Sequence, residues 1–478
     1  MDKNIRIAIV GGGPAGLSAA MYLEKKGYDN YVIYEKTDHV GGKCHSPVCN
    51  GKRYEMGAIM GVPSYFAVHD VELFAGVTHD GPKLNRNYKY PDGRPDYRFD
   101  TEAARKNPTA FFFKHPKAAL HMKKMAKQIK QFGNLLETKY KGYDVTGHIG
   151  VSEGRYEGFA VAEDRHPVKG VNPNLKDLAL PFKEFCEKNG VPLVQEVWVQ
   201  PFTSFGYGYF DEIPAAYVLK YLDFRTMMDF VNVNLWTWKD GTQSIYEALN
   251  AHLKHPALLK SNIEKVVRGE KVTITVNGKE EVFDKIIVTA PLQVATEKNP
   301  LINPIAKSLD TWFDVNDEER ALFSKIDYER YDTIACKIKK GFYPDVSYYI
   351  VDNMVPERLG HLMVYYRRWK DEPDQPIVTY ALRHHRTANG GKEIAYEDCD
   401  KMVLQDMETV GCHVDKPIYR FQTYYFPHVY SEDYAAGWYE KVEAMQGKNN
   451  TYYAGEIMSF GDMDETIEYS HDLVERFF

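Results

Sequence analysis

The chain has 478 residues, of which 60 are basic and 67 acidic, giving a formal net charge of −7 at pH 7. This balance excludes the basic excess of a nucleic-acid-binding protein, and there is no run of about 18 apolar residues that would span a bilayer. The length favours two or three domains over one, and the six cysteines are scattered without a Cys-x-x-Cys pair, so neither a zinc site nor a disulfide framework is predicted.

The first elements of the chain predict a nucleotide-binding unit. Residues Ile5–Val10 predict a buried strand and Leu17–Leu23 a helix, and the loop between them carries the pattern Gly-x-Gly-x-x-Gly at Gly11, Gly13 and Gly16. The first glycine permits a tight turn, the second lets the backbone approach a pyrophosphate, and the third lets the helix pack closely on the strand. Because the strand begins so near the start of the chain, no signal peptide is predicted and we expect a cytoplasmic protein.

The start of this helix and the strand that follows complete the motif. Pro14 and Ala15 lie in the loop just before the helix, whose free N–H groups and positive dipole end would face the phosphates. The next strand, Tyr31–Tyr34, ends at Glu35 and Lys36, and an acid at this distance from the glycines binds the ribose hydroxyls of a dinucleotide. We therefore predict that these four residues contact the cofactor.

A second glycine-rich segment follows the acid and favours FAD over a nicotinamide cofactor. A nicotinamide enzyme needs no second glycine pair at this place, whereas an extended FAD needs further close approach of backbone to its pyrophosphate and ring system. Lys43 would add a cation near the phosphates or the ribityl chain. The cofactor contacts predicted from this segment are Gly42, Lys43, Gly57, Ala58, Ile59 and Met60.

A third cofactor segment lies at the end of the chain. Residues 450–456 predict a strand ending at Gly455 and Glu456, and a last helix begins near Met463. A helix N-terminus at this place would stabilise the negative charge of a reduced flavin. Three separated segments thus predict bound FAD, and no cysteine or histidine context indicates a covalent link to it.

These segments resemble the GG-motif flavoproteins of the flavin amine oxidase superfamily, where arginine is commoner than lysine at the place of Lys43. The resemblance implies an α/β fold with a Rossmann-like FAD-binding domain, a mixed-sheet substrate domain and a helical lid. It also implies that Glu456 meets the ribityl or pyrophosphate region, that Met463 lies near the O2 and N1 edge of the flavin, and that Ile263 clasps the adenine through its backbone.

The predicted domains are discontinuous along the chain. Helical patterns at 118–138 and 214–222 indicate the cap, and short aromatic and β-branched runs at 362–366 and 377–380 indicate the sheet of the substrate domain. Polar stretches at 85–110 and 146–178 predict loops. The predicted bounds are 1–64, 232–296 and 440–478 for the FAD-binding domain, 101–231 for the helical cap, and 65–100 with 297–439 for the substrate domain.

Aromatic residues make up 14% of the chain and are clustered. The densest cluster, residues 202–210, contains a Gly-Tyr-Gly run that suggests backbone lying close to a flat group. Aromatic walls suit an apolar chain and also stabilise a cation, since a desolvated cation–π contact contributes about 2 kcal/mol. We predict Phe205 and Tyr207 as substrate contacts.

Long stretches of the sequence are also similar to the polyenoic fatty acid isomerases, which are also called linoleate isomerases. The similarity covers most of the chain and is weakest over about 87–178, where extra residues are present. The matching motifs are 38–47, 54–65, 214–224, 357–361, 437–443 and 452–461.

This second resemblance implies a redox-neutral use of FAD. Flavin N5 would take a hydride from the methylene between two double bonds of a free polyunsaturated fatty acid, and its return at another carbon would give a conjugated diene. No side chain is then required as a catalytic group. The resemblance further implies that Arg86 and Phe230 lie at the mouth of a fatty-acid tunnel, where the guanidinium fork suits a carboxylate.

Two other functions stay open. A flavin amine oxidase shares the fold and cofactor but produces hydrogen peroxide, and such enzymes usually place a tyrosine just before the last methionine, where this chain has Asp462. A non-catalytic, FAD-dependent lipid carrier is the third possibility. No metal site is predicted, because His384, His385 and His428 lack ligand spacing. The sequence predicts neither the oligomeric state nor the substrate chain length, and it leaves transient membrane contact open.

Overall fold

The computed structural model describes residues 2–140, 175–297, 307–339, 347–370, 372–421 and 425–478. In these ranges the strands are β1 (Ile7–Val10), β2 (Tyr31–Tyr34), β3 (Val48–Cys49), β4 (Lys52–Arg53), β5 (Asn87–Tyr88), β6 (Ile263–Arg268), β7 (Val272–Val276), β8 (Lys279–Phe283), β9 (Lys285–Val288), β10 (Asp327–Glu329), β11 (Tyr331–Ile338), β12 (Ser347–Tyr349), β13 (Val364–Tyr366), β14 (Ile377–Leu382), β15 (Val414–Phe421), β16 (Tyr425–His428) and β17 (Thr451–Tyr453). The α-helices are α1 (Pro14–Lys25), α2 (Phe66–Ala75), α3 (Thr101–Lys106), α4 (Pro108–Lys114), α5 (Pro116–Glu137), α6 (Leu175–Leu178), α7 (Phe182–Lys188), α8 (Gln195–Trp198), α9 (Ala215–Tyr221), α10 (Phe224–Asn232), α11 (Gln243–His252), α12 (Asp317–Phe323), α13 (Tyr396–Thr409), α14 (Ser431–Ala435), α15 (Trp438–Glu443) and α16 (Met463–Phe477).

A four-stranded parallel sheet in the order β17-β9-β1-β2 forms the first layer. Its strands come from both ends and the middle of the chain, and all four residues of β1 are buried. Parallel sheets are covered on both faces, which explains the near-continuous apolar runs of these strands. The helices α1 and α16 pack against each other beside this sheet. The predicted α/β fold is confirmed.

A six-stranded sheet in the order β15-β11-β14-β13-β12-β5 forms the second layer. Its β5 and β12 strands pair in parallel, whereas the other neighbours are antiparallel, so the sheet is mixed. Successive side chains of a strand point to opposite faces. On β14, Ile377 packs towards Val403 of α13, while Tyr380 belongs to the main core on the other face. The mixed sheet therefore places a row of aromatic side chains opposite the parallel sheet.

Helices α3 to α10 occupy the region predicted as a helical cap. The helix predicted at 118–138 is α5, Pro116–Glu137, and the one predicted at 214–222 is α9, Ala215–Tyr221. The loop predicted at 85–110 is wrong in part, since it contains strand β5, helix α3 and the start of α4. Asp100 and Asn107 cap these two helices by accepting hydrogen bonds from backbone N–H groups at 2.9 and 3.0 Å. Of the other predicted loop, 175–178 forms helix α6 and the rest lies outside the described residues.

No helix in the described ranges is both long enough and apolar enough to cross a bilayer.

Candidate active site

A cavity of about 900 Å³ lies between the carboxyl ends of the parallel strands and the mixed sheet. Ligands of open α/β sheets bind at this edge. All three predicted cofactor segments reach the cavity, whereas Gly16 lies behind its wall. The predicted cofactor residues that line it are Gly11, Gly13, Pro14, Ala15, Glu35, Lys36, Gly42, Lys43, Gly57, Ala58, Ile59, Met60, Ile263, Gly455, Glu456 and Met463.

Two glycine-rich loops form a narrow cradle at one end of this cavity. Gly13 and Gly42 face each other, because a Cβ added to Gly42 would lie 3.2 Å from the Cα of Gly13. At Gly57 an added Cβ would lie 1.7 Å from the carbonyl oxygen of Lys43, so no larger residue fits there. Gly13 is the N-cap of α1 and supplies no side-chain cap, which leaves the first N–H groups of the helix for an anion. The cradle therefore fits the pyrophosphate of a dinucleotide.

Glu35 is held at the end of β2 by three donors. The backbone N–H of Gly12 donates to one carboxylate oxygen at 2.8 Å, and the N–H and hydroxyl of Thr37 both donate to the other at 2.8 Å. These bonds fix the carboxylate beside the cavity before any ligand arrives. This position suits the ribose contact that the spacing predicts.

Lys43 and Glu456 come from opposite ends of the sequence and meet at the cavity wall. The Lys43 ammonium lies 2.5 Å from a carboxylate oxygen of Glu456, and both side chains are about a quarter exposed. The same ammonium lies 5.4 Å from the ring centroid of Tyr425. The sequence predicted both residues as cofactor contacts but did not predict that they pair.

The N-terminus of α16 points at the cavity through Asp462 and Met463. One carboxyl oxygen of Asp462 caps the helix by accepting the N–H of Glu465 at 2.8 Å. The other oxygen is buried and has no hydrogen-bond partner among the described residues. Burial, and then the neighbouring Glu465 carboxylate, raises the pKa of Asp462 well above its usual range, which favours the neutral acid at this point of the wall.

The opposite wall of the cavity is aromatic. The rings of Tyr380 and Tyr331 stack at 5.7 Å, and the row continues from Tyr331 to Tyr425 at 5.1 Å, from Tyr425 to Tyr207 at 5.3 Å and from Tyr207 to Tyr221 at 5.2 Å. Burial raises the pKa of each of these five phenols, so they stay neutral.

Only some of the aromatic residues of this wall could be predicted from the sequence. Phe205 and Tyr207, which the sequence analysis predicts as substrate contacts, line the cavity. Tyr221, Tyr331 and Tyr380 were missed. Tyr331 and Tyr380 are diagonal neighbours on β11 and β14, where Tyr331 lies opposite Leu382 and Tyr380 lies opposite Thr333. The sequence does not reveal this relation until the strands are paired.

Arg86 and Phe230 are brought together outside the cavity lining. The guanidinium of Arg86 donates to the backbone carbonyl of Phe230. The Phe230 ring lies 6.1 Å from the ring of Tyr221, which does line the cavity. Arg86 is partly exposed. Arg86 and Phe230 therefore form a single layer of residues between the aromatic wall and the solvent. The Nε atom of Arg86 is buried without a hydrogen-bond partner among the described residues.

A buried ion pair outside the cavity lining joins the segment after β4 to the segment after β13 of the mixed sheet, and it was not predicted from the sequence. Glu55 is 0% exposed and Arg368 is 1% exposed, with 2.9 Å between the guanidinium and the carboxylate. Ser46 and Thr242 also donate hydrogen bonds to Glu55. Burial raises the pKa of Glu55, and this effect outweighs the opposite effect of Arg368.

Three possible metal ligands, His69, Glu72 and His79, lie together in the part of the chain that the structure describes. The Nδ1 atoms of both histidines lie 2.7 and 3.1 Å from the Glu72 carboxylate, and Trp238 donates its indole N–H to it at 2.5 Å. The Glu72 carboxylate is thus the shared hydrogen-bond acceptor of His69, His79 and Trp238.

His428 makes the stability of the fold sensitive to acid. It is fully buried, and burial lowers its pKa from 6.5 to about 4. Between these values the unfolded chain binds a proton that the native protein does not, so the free energy of unfolding falls as the pH drops from 6.5 towards 4. We expect His428→Gln to remove up to roughly 3 kcal/mol of that pH dependence. Chemical denaturation across this range measures it.

The exposed histidine His252 of α11 provides the matched control, because His252→Gln makes the same substitution at the surface. Equal pH slopes for the wild type and His428→Gln would show that the buried imidazole is not responsible.

Comparison with known proteins agrees with this architecture. The model of the family described as flavin containing amine oxidoreductase matches residues 14–468. The crystal structure of a CLA-producing fatty acid isomerase from P. acnes is 46% identical, covers 100% of both chains and gives a TM-score of 0.84. An FAD-dependent oxidoreductase, dpchF, from Colletotrichum higginsianum is 22% identical over 95% of this chain and 89% of its own length. A polyenoic fatty acid isomerase from Ptilota filicina is 24% identical over 68% of this chain and 63% of its own length.

These matches confirm the predicted superfamily, the predicted similarity to fatty acid isomerases and the predicted cofactor. The glycine cradle, the fixed Glu35 carboxylate and the uncapped start of α1 are the features that hold the dinucleotide in such a fold. The chain belongs to the flavin-containing amine oxidoreductase family, and its cofactor is FAD.

Proposed function

We propose that this protein isomerises a free polyunsaturated fatty acid to a conjugated diene without net oxidation. The observation that carries the proposal is the wall of neutral, buried aromatic rings that faces the cofactor cradle. The chain's 46% identity, over its full length, to a CLA-producing fatty acid isomerase supports the same conclusion. When bound, the flavin supplies a group that accepts a hydride from the methylene between two double bonds and returns it at another carbon.

The aromatic wall supplies what this chemistry needs from the protein. Removal of a hydride leaves a positive charge spread over five carbons of the acyl chain, and an electron-rich ring face stabilises a desolvated cation by about 2 kcal/mol. Neutral phenols such as Tyr207 and Tyr331 do not trap this cation as a phenolate would. The close ring packing also excludes water, which would otherwise add to it.

We propose that the cofactor lies extended along the three segments that line the cavity. Glu35 would bind the ribose, Ile263 the adenine, and Gly13 and Gly42 the pyrophosphate, while the start of α16 faces the ring system. The domain bounds given above stay a prediction. We also propose a cytoplasmic location, because all six cysteines are free thiols, which suits a reducing compartment.

We propose that Arg86 and Phe230 lie at the entrance of the fatty-acid tunnel and close it when no fatty acid is bound. A carboxylate is a better acceptor for a guanidinium than the Phe230 carbonyl that Arg86 now binds, since charge-assisted hydrogen bonds are about twice as strong as neutral ones. If Arg86 bound the carboxylate in place of the Phe230 carbonyl, Phe230 could move and the residue layer next to Tyr221 could open. The acyl chain itself would supply most of the affinity, at about 0.8 kcal/mol per buried CH₂.

We expect Arg86→Leu to raise KM for a fatty acid at least ten-fold and to change kcat little, because the lost contact binds the carboxylate away from the reacting carbons. The corresponding fatty alcohol should show no such difference between the variant and the wild type. Arg225→Leu, which removes an exposed arginine from the same helix as Phe230, is the control. Unchanged KM in Arg86→Leu would remove Arg86 from the entrance.

The experiment that tests the function compares linoleic acid with a polyamine in air. An isomerase converts linoleic acid to a conjugated diene and releases no peroxide, whereas an amine oxidase releases peroxide from the polyamine. The neutral acid favoured at Asp462 is a poor anchor for an ammonium group and supports the first outcome. A protein that binds the fatty acid, converts neither compound and releases no peroxide would be a lipid carrier.

A further inference from the structure

Helices α4 and α5 expose apolar side chains that the active site does not use. Phe113 is 78% exposed, Phe112 is 46% exposed and Leu120 is 52% exposed. The rings of Phe112 and Phe113 contact each other edge-on at 5.9 Å. We call the exposed side chains of these two helices, over 108–131, the docking face.

The docking face is strongly basic in a chain that is acidic overall. From Arg105 to Leu136 the sequence has eight lysines and arginines and no aspartate or glutamate, although the whole chain carries −7. On α5, Lys117, Leu120, Lys124 and Lys127 recur at spacings of three and four residues, so they share one side of the helix.

The opposite side of α5 is built into the fold. Met125, Phe132 and Leu136 are buried there. His121, at the edge of the helix, lies 2.7 Å from Glu196. Lys139, just beyond the end of the helix, lies 3.3 Å from Asp177.

The lysines of the exposed side, by contrast, have no carboxylate within ion-pair distance among the described residues. They are Lys117, Lys123, Lys124, Lys127 and Lys130, and all are exposed. The helix thus presents lysines that no described carboxylate pairs, around a group of exposed apolar side chains.

The helix α5, which carries part of the docking face, packs through its buried side on α10, the helix of the proposed entrance. Gly133 of α5 packs directly on the ring of Phe224, at the start of α10. Arg105 donates a hydrogen bond of 2.9 Å to Asn232, at the end of the same helix. Since α10 carries Phe230, which accepts the hydrogen bond from Arg86, α3 and α5 both contact the helix that forms part of the proposed entrance.

We propose that the docking face binds the surface of an anionic lipid bilayer. Exposed aromatic side chains with lysines around them are the pattern of helices that lie in the headgroup region, where apolar groups enter the acyl boundary and lysines meet acidic headgroups. The role of the docking face rests on the proposed function. A protein bound to the bilayer through this face would hold the tunnel entrance near the layer that contains free fatty acid.

The test is cosedimentation of the full-length holoenzyme with vesicles. Phosphatidylcholine vesicles are compared with vesicles of equal parts phosphatidylcholine and phosphatidylglycerol, each at low and high salt. We expect binding to the anionic vesicles only, weakened by salt. Phe112→Ser/Phe113→Ser and Lys123→Glu/Lys124→Glu/Lys127→Glu should each weaken it at least ten-fold.

Two control variants change similar residues on another exposed surface, the β6–β8 sheet. Lys265→Glu/Lys279→Glu and Val282→Ser should bind as the wild type does. Equal loss in the control variants, or no loss in the docking-face variants, would overturn the proposal. A dimer in the absence of lipid that Phe112→Ser/Phe113→Ser dissociates would overturn it in favour of pairing between two copies.

The same variants separate this proposal from the proposed function. Conversion of monomeric linoleic acid in solution should be unchanged in every docking-face variant, since the changed residues lie outside the cavity. If vesicles bind but no diene forms, the proposed function fails and the docking face stands. If diene forms but vesicles do not bind, the docking face fails alone.

Discussion

We expect Gly13→Val to yield a folded, colourless protein whose affinity for FAD is reduced at least 100-fold, equivalent to about 3 kcal/mol. Gly13 has φ −86° and ψ −173°, an extended conformation that any residue adopts. A Cβ at this position would lie 3.7 Å from the nearest protein atom, in ordinary contact. The added side chain therefore meets the cofactor and not the protein, because it fills the space where the backbone approaches the phosphates. Flavin absorbance per protein measures the effect.

The control for this variant is Gly269→Val, at an exposed turn where an added Cβ lies 3.9 Å from the carbonyl of Lys271. It should purify with the full complement of flavin. The unfolding midpoint of Gly13→Val should equal that of wild-type apoprotein. A yellow Gly13→Val protein with one flavin per chain would contradict the placement of the pyrophosphate.

The second large effect is expected at the buried pair of Glu55 and Arg368. Removing one member of such a pair lowers the free energy of unfolding by roughly 3–5 kcal/mol, because it leaves the other charge buried and unpaired. The two single variants should differ. Without Arg368, Glu55 can take up a proton, which its burial already favours, whereas the guanidinium stays charged without Glu55. Glu55→Leu should therefore cost more than Arg368→Met.

Denaturant unfolding of both single variants and of Glu55→Leu/Arg368→Met measures this difference. The double variant should be more stable than Glu55→Leu alone, since it leaves no buried charge without a partner. Simple additivity of the two single losses would show that the pair does not act as a unit.

The cofactor cradle could be predicted from the sequence because its requirements are local. A glycine with no room for a Cβ, such as Gly57, and an acid at the end of a strand, such as Glu35, leave their mark within a few residues. The loop predicted over 85–110 rested on polar composition, and Asp100 and Asn107 in that stretch are helix caps, since the same residue types favour both loops and helix starts.

The features that could not be predicted depend on contacts between distant segments. Tyr331 and Tyr380 form a wall only when β11 and β14 pair, and Glu55 meets Arg368 across 313 residues. Arg86 and Phe230, known only from a family resemblance, lie 144 residues apart and meet one layer outside the cavity. Side-chain contacts of this kind follow from the topology, which the motifs do not specify.

The proposed reaction moves double bonds without consuming an oxidant. The most direct test is to incubate the purified yellow holoenzyme with linoleic acid in the absence of oxygen and to count conjugated diene, by its ultraviolet absorbance, against bound flavin. We expect many dienes per flavin, with the flavin oxidised again when the substrate is exhausted. Flavin that bleaches once and stays reduced until air is admitted, with no more than one product per flavin, would contradict it.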